Sequence, residues 1–230
     1  MSRIETFFLP GPAGRIECML KRPDESADGV TAAVVCHPHP LFGGTMHNKV
    51  VHAAAEATLD AGIPVLRFNF RGAGVSGGAH DGGRGEQDDL RTVIDHLSRL
   101  YPGRPLLLAG YSFGAYVALV VGCRDPRAVA LIAIGLPVHL MPFDFLRACG
   151  KPVTIIQGDQ DAFGALPQVM ALAAHVPGGA RVVAIRGAAH NFAGHLDDLA
   201  RRVAGSIPET LRPAQPPAAP IGDDPSRVVS

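Results

Sequence analysis

Residues 106–122 read LLLAGYSFGAYVALVVG, and this stretch constrains the fold more tightly than any other. A run of Leu and Ala ends at the ring of Tyr111 and the hydroxyl of Ser112. Gly110 and Gly114 stand two positions before and two after the serine, and apolar residues at helical spacing follow at once. A strand that is apolar at successive positions is buried on both faces, which is the habit of parallel sheets covered by helices. A core strand that only had to stop would use Asn-Gly or Asp-Gly, and neither is present here. The stretch therefore predicts a central strand running without a spacer into a helix, with Ser112 at the corner.

The rest of the chain repeats that unit. IETFFLP, a Gly-Pro-Ala-Gly turn and RIECMLKRP read as an opening antiparallel hairpin, followed by a polar loop, DESADG. TAAVVCH is a buried strand, a helix is expected from about Asn48 to Ala61, and PVLRFNF is a strand. DDLRTVIDHLSRL is an amphipathic helix with Leu90, Val93, Ile94, Leu97 and Leu100 on one face. AVALIAIG, PVTIIQG and RVVAIRG are further strands, with helices at LPQVMALAAHV and from about Ala193 to Val203. This alternation predicts an α/β fold with a mostly parallel central sheet, the antiparallel hairpin at its start and helices on both faces.

With 230 residues, one domain over 1–206 accounts for these elements. Residues 207–230 turn Pro-rich and lose apolar periodicity, which predicts a disordered tail. Lys+Arg 21 balances Asp+Glu 21, so charge offers no case for nucleic acid or an anionic membrane surface. The apolar runs are strand-sized and the N-terminus lacks a signal-peptide pattern. Cys18, Cys36, Cys123 and Cys149 are scattered without a C-x-x-C pair and read as free buried thiols in a reducing compartment. A cytoplasmic protein is the expectation.

The corner serine can be read in two ways. The same position suits a helix N-cap. It also suits a nucleophile elbow, G-x-S-x-G, in which a sharp strand-to-helix turn lifts the hydroxyl above the carboxyl edge of the sheet, at a helix N-terminus that favours negative charge. A serine nucleophile needs a base, and the base needs an orienting acid. Both should lie in loops after later strands. GDQDAFG follows PVTIIQ and GAAHNFAG follows RVVAIR, giving the order Ser, Asp, His. His190 follows its strand directly, whereas His175 and His195 fall in or at the start of helices. Asp161 stands far enough out to reach across to a histidine. Asp159, nearer the strand, is the alternative acid and is better placed to bond loop amides.

With these parts in view, almost the whole chain through residue 206 resembles the α/β-hydrolase superfamily. It is similar in particular to the small, lidless bacterial serine hydrolases near the dienelactone-hydrolase branch. CHPHPLFGGTMHNKVV, FRGAGVSGG, GYSFG, the GDQD loop and GAAHNF carry the resemblance. It implies esterase-type chemistry for Ser112, Asp161 and His190, with no cofactor and no metal. Dienelactone hydrolases proper use Cys as the nucleophile, so the serine here argues for ordinary ester cleavage.

An acyl-transfer oxyanion needs two N–H donors. One is expected from Phe113, the residue after the nucleophile. The second comes from the loop His37-Pro38-His39-Pro40-Leu41, where the prolines have no N–H. Analogy with the superfamily selects His39, with Leu41 as the fallback. The connection LPVHLMPFDFLRACG is too short for a cap domain, so the site should be open. Leu41, Phe42, Phe113, Val138, Met141, Phe143, Phe163 and Phe192 are candidates for an apolar acyl pocket suited to short acyl chains.

Two temptations are set aside. His37 and His39 lack Cys or acidic neighbours and do not make a metal site. The loop FNFRGAGVSGG does not open a helix as a dinucleotide fingerprint must, and Arg71 is expected to tie loops together. Glu86, Asp88 and Asp89 are expected to precede a helix and complement its dipole. The expected partner is a small-molecule ester. An acyltransferase or peptidase using the same three residues, or a non-catalytic binding module on the same fold, are the competing functions.

Overall fold

The computed structural model describes residues 3–23 and 31–212. Eight strands form one sheet in the order β1-β2-β4-β3-β5-β6-β7-β8. β1 (Arg3–Gly11) and β2 (Gly14–Arg22) form the expected hairpin. β2 pairs antiparallel with β4 (Val65–Phe68), and the remaining pairings are parallel. These run through β3 (Ala32–Cys36), β5 (Leu106–Tyr111), β6 (Ala128–Ile134), β7 (Val153–Gly158) and β8 (Arg181–Ile185). Every residue of β3 and β5 is buried, as their unbroken apolar runs require.

Among the described residues, five α-helices cover the two faces. α1 (Lys49–Asp60) and α5 (Leu196–Ala204) share one apolar cluster with Val35, Leu107 and Ile132. α2 (Arg84–Leu100), α3 (Phe113–Gly122) and α4 (Leu166–Ala174) share the other with Val34, Leu108 and Leu131. The alternation of residues along each strand thus feeds two separate cores.

Helix boundaries depart from the sequence reading where a local device intervenes. Asn48 caps α1 by accepting from the Val50 N–H at 2.9 Å. α2 starts at Arg84, four residues earlier than its apolar period, because Glu86 reaches back to accept from the Gly83 N–H at 2.8 Å. Glu86, Asp88 and Asp89 therefore lie inside the helix and not before it. α5 begins at Leu196, three residues later than expected, because Gly194 adopts φ 77 and turns the chain out of helical space.

Two further expectations are corrected. Cys123 and Cys149 form a disulfide; the end of α3 and the 3-10 turn Asp144–Ala148 bring their Cα atoms to 5.0 Å, within bridging range. Cys18 and Cys36 are the buried free thiols, and burial pushes the Cys18 thiol up to about 12 and raises that of Cys36 as well. Ordered chain also continues past 206. Ile207 and Leu211 are buried against the α1/α5 cluster, so residues 207–212 belong to the packed domain. The remainder of the Pro-rich tail, and the DESADG loop, lie outside the described residues. No described helix is long and apolar enough to cross a membrane.

Candidate active site

Ser112 sits between β5 and α3 with φ 55 and ψ −119, a region that a residue with a side chain enters only at a cost of about 1–3 kcal/mol. Surrounding structure holds it there. The Ser112 N–H donates to Ile134 O at 2.8 Å, tying the corner to β6. A Cβ on Gly110 would lie 2.3 Å from Gly114 O, and one on Gly114 would lie 2.4 Å from His37 O. Both positions must be glycine for β5, α3 and the loop after β3 to meet at this point. The Ser112 side chain makes no cap hydrogen bond to α3. The N-cap reading of the serine therefore fails on geometry.

The hydroxyl points instead to His190, whose Nε2 is 2.9 Å from Ser112 Oγ. His190 Nδ1 is 2.7 Å from Asp161 Oδ2. A carboxylate only accepts, so Nδ1 carries the proton and donates to Asp161, and Nε2 is left to accept from the serine hydroxyl. His190 is held on both sides. Its ring lies 5.3 Å from that of Tyr111 and 4.7 Å from that of Phe163, and Tyr111 OH donates to His190 O at 2.9 Å. Burial, with the Asp161 charge nearby, raises the Tyr111 phenol above its ordinary value, so it stays a donor.

Asp161 is 4% exposed in the β7–α4 loop. Its Oδ1 accepts from the Phe163 N–H at 2.9 Å, and its Oδ2 also accepts from Gln157 Nε2 at 2.9 Å. Asp159 points elsewhere and accepts from the Gly187 N–H at 2.7 Å, joining the β7 loop to the β8 loop. Of the two candidate acids, only Asp161 meets the histidine.

Gln157 escaped the sequence reading. It is fully buried at the end of β7, donates to Asp161 and to Gly164 O, and accepts from the Leu136 N–H at 2.8 Å. The signal was a lone amide in the apolar run VTIIQG, since a buried polar side chain must have partners.

On the other side of Ser112 lies the loop after β3. His37 is fully buried; its Nε2 accepts from the Phe70 N–H at 2.9 Å and its Nδ1 donates to Pro38 O at 2.6 Å. Desolvation lowers its pKa from 6.5 to about 4, against the opposing pull of Pro38 O, so the ring is neutral near pH 7. His39 accepts from the Leu41 N–H at 3.3 Å and heads the short 3-10 turn Pro40–Phe42. Burial, and secondarily His80, lower the His39 pKa. Among the described residues, neither the His39 N–H nor the Phe113 N–H donates to a protein acceptor. Phe113 is the first residue of α3, where an N–H has no partner inside the helix. Arg71 clamps Asp89 with Nε at 3.0 Å and Nη2 at 2.8 Å, which ties the loop after β4 to α2.

A model of the alpha/beta hydrolase domain matches residues 33–200, which span β3 to α5 and include every group described above. This chain belongs to the α/β-hydrolase family. Among solved structures, an alpha-beta serine hydrolase homologue from Coxiella burnetii is 37% identical. The match covers 89% of this chain and 97% of that one, with a TM-score of 0.84. A serine hydrolase from Xanthomonas campestris described as lacking a lid is 34% identical, with 93% and 97% covered and a TM-score of 0.85. An uncharacterized protein of Rickettsia prowazekii, RP471, is 40% identical over 159 residues; the match spans 67% of this chain and 66% of that protein.

Among the described residues of this α/β hydrolase, no cap domain interrupts the sheet. The β6–β7 connection holds only the 3-10 turn Asp144–Ala148. Two hollows, of about 500 and 280 Å³, lie beside Arg127 and Arg202, away from Ser112. Leu41, Phe42 and Phe163 are exposed, the last with its ring against His190. Val138 and Met141 are half-buried at the edge of the α2/α3 core. Three pocket candidates are corrected. Phe192 is completely buried in the α1/α5 core beneath Tyr111, Phe143 is buried and packed edge-on to Tyr116, and the Phe113 ring is buried edge-on to Phe70. None has side-chain surface to offer a substrate.

Proposed function

We propose that this α/β hydrolase cleaves carboxylic esters through an acyl-enzyme on Ser112. The observation that carries the reading is the unbroken hydrogen-bonded series from Ser112 Oγ through His190 to Asp161, at 2.9 and 2.7 Å. His190 Nε2 takes the hydroxyl proton as Oγ attacks the ester carbonyl, and Asp161 holds the Nδ1 tautomer and stabilises the imidazolium. The amides of Phe113 and His39 receive the oxyanion, since both lack a protein acceptor, Phe113 follows the serine directly and the His39 ring packs against that of Phe113. Collapse of the intermediate breaks the C–O bond, and His190 passes its proton to the departing alcohol. Water, deprotonated by His190, then attacks the acyl group and frees the acid and Ser112.

Leu41, Phe42 and Phe163 offer apolar surface without an enclosed channel, which favours short acyl groups over long ones. The test is a burst assay with p-nitrophenyl acetate and butyrate, wild type beside Ser112→Ala. A stoichiometric burst that disappears in the variant, together with organophosphonate labelling of wild type only, is the expected result. Turnover that survives in Ser112→Ala overturns the acyl-enzyme, and faster release from long-chain than from short-chain esters overturns the substrate preference.

A further inference from the structure

The rings of His39, His80 and Phe113 form a closed triangle beside Ser112. Their centroids are 4.4 Å apart for His39 and His80, 5.0 Å for His39 and Phe113, and 5.3 Å for His80 and Phe113. Two of the three residues are those whose amides face the oxyanion in the mechanism above. The third comes from the glycine-rich loop between β4 and α2, which that mechanism leaves unused.

This loop has its own anchor. Glu86, completely buried in the first turn of α2, accepts from the Asp81 N–H at 2.9 Å and from the Gly83 N–H at 2.8 Å. Its Oε1 also lies 2.8 Å from His80 Nδ1, without hydrogen-bond geometry. The His80 side chain is only 12% exposed. Gly83 packs over the rings of Tyr116 and Phe113: a Cβ there would lie 3.3 Å from Tyr116 Cε1 and 3.5 Å from Phe113 Cε2. A segment containing Gly72, Gly74, Gly77, Gly78, Gly82 and Gly83 has much backbone freedom to lose. Glu86 removes that freedom at the point where His80 enters the triangle.

His39 needs such a contact. Its ring touches Phe42 within its own turn, but Phe42 is 87% exposed and gives little support. Beyond that turn, its ring contacts among the described residues are His80 and Phe113. We propose that His80, carried on the loop that Glu86 anchors, is a positioning residue that clamps His39 against Phe113 so that their two amides converge on the oxyanion. The inference rests on the acyl-enzyme reading. An oxyanion site works only if its donors are already in place when charge develops, and small misplacements are costly in rate. Loosening the clamp therefore acts on the transition state and leaves substrate binding nearly as it was.

The experiment compares His80→Ala, His80→Leu and His80→Phe in the full chain, with p-nitrophenyl butyrate turnover, inhibition by a trifluoromethyl ketone, and thermal unfolding. His80→Ala should lower kcat by about tenfold or more with KM within about twofold. Affinity for the ketone, whose adduct carries the oxyanion, should fall in step with kcat. His80→Phe restores a flat ring and should keep kcat within about threefold of wild type, while His80→Leu, with similar bulk and no ring, should resemble His80→Ala. Full kcat in His80→Ala overturns the proposal, as does a His80→Phe variant that falls as far as His80→Ala. If His80→Ala does not fold, the Phe and Leu variants decide the matter in the same way. Ser112→Ala in the same series separates the two readings. Turnover surviving there removes the acyl-enzyme itself, whereas a Ser112-dependent enzyme indifferent to His80 removes only the clamp.

Discussion

Acidification destabilises this protein through His37. The ring is fully buried, and both nitrogens are committed, Nε2 to the Phe70 N–H at 2.9 Å and Nδ1–H to Pro38 O at 2.6 Å. A second proton would have to displace the Phe70 amide at a fully buried site. The unfolded chain recovers the ordinary value of 6.5, while desolvation holds the folded value near about 4. In that window the unfolded state binds a proton that the folded state refuses, so stability is complete above pH 6.5 and is lost as pH falls towards 4. At about 1.36 kcal/mol per pKa unit the loss approaches about 3 kcal/mol below pH 4, and it is about 2 kcal/mol between pH 7 and pH 4.5. That is a large part of the roughly 5–15 kcal/mol that a domain has in all. Urea unfolding of wild type and His37→Gln at the two pH values isolates this contribution. Glutamine keeps an acceptor for the Phe70 N–H and does not titrate. The variant should be less stable at pH 7 by about 1–2 kcal/mol, yet lose about 2 kcal/mol less than wild type on going to pH 4.5. Equal losses in the two proteins would refute the argument, because His37 would then titrate alike in both states.

Three other outcomes are expected. Asp161→Asn keeps an acceptor for the Phe163 N–H but no longer fixes the His190 tautomer, so kcat should fall by about 10⁴, and its NH2 meets the Gln157 donor, so stability should fall by about 1–3 kcal/mol; a loss of kcat under tenfold would remove Asp161 from its role. Gly114→Ala places a Cβ 2.4 Å from His37 O, which is backbone and cannot swing aside, so the loop bearing His39 must shift. Activity should drop at least about a hundredfold and stability by about 1–3 kcal/mol, whereas wild-type kinetics would show that the loop and helix do not meet so closely. The Cys123–Cys149 bridge spans a sequence separation of 26, worth about 3–4 kcal/mol. Dithiothreitol should lower Tm on the order of 10 °C, and an unchanged Tm with four titratable thiols would mean the bridge is not formed.

Much of the architecture was legible because strands buried on both faces leave a simple trace. β3, β5, β6 and β7 are near-continuous Val, Ile, Leu and Ala, and a chain alternating such runs with helices has few ways to pack other than a parallel sheet. The site was legible for a related reason. Parallel strands deliver all their carboxyl ends to one edge of the sheet, so Ser112, Asp161 and His190 could be brought together knowing only that each follows a strand. Helix starts were less legible, because Glu86 begins α2 through a single side-chain contact that carries no period. The disulfide was hidden because no spacing rule relates the end of α3 to the turn before β7; only the fold makes them neighbours.

Phe163 and Phe192 show where one-dimensional reasoning stops. Each stands two residues after a member of the hydrogen-bonded series, in a glycine-flanked loop, and by sequence they are equivalent candidates for a pocket wall. Phe163 donates its N–H to Asp161, which turns its ring outward against His190, 44% exposed. Phe192 has φ 52, one of two positive values among the described non-glycine residues, and that reversal sends its ring down under Tyr111 into the α1/α5 core. The sign of a single backbone torsion separates a residue able to touch substrate from one that holds the histidine loop to the sheet. Loop torsions leave no periodic record in composition, whereas strand and helix burial does. The same distinction assigns their expected substitution effects: Phe163→Ala should change ester turnover with stability nearly kept, whereas Phe192→Ala should open a cavity and lower the free energy of unfolding by about 3–5 kcal/mol, read by urea unfolding.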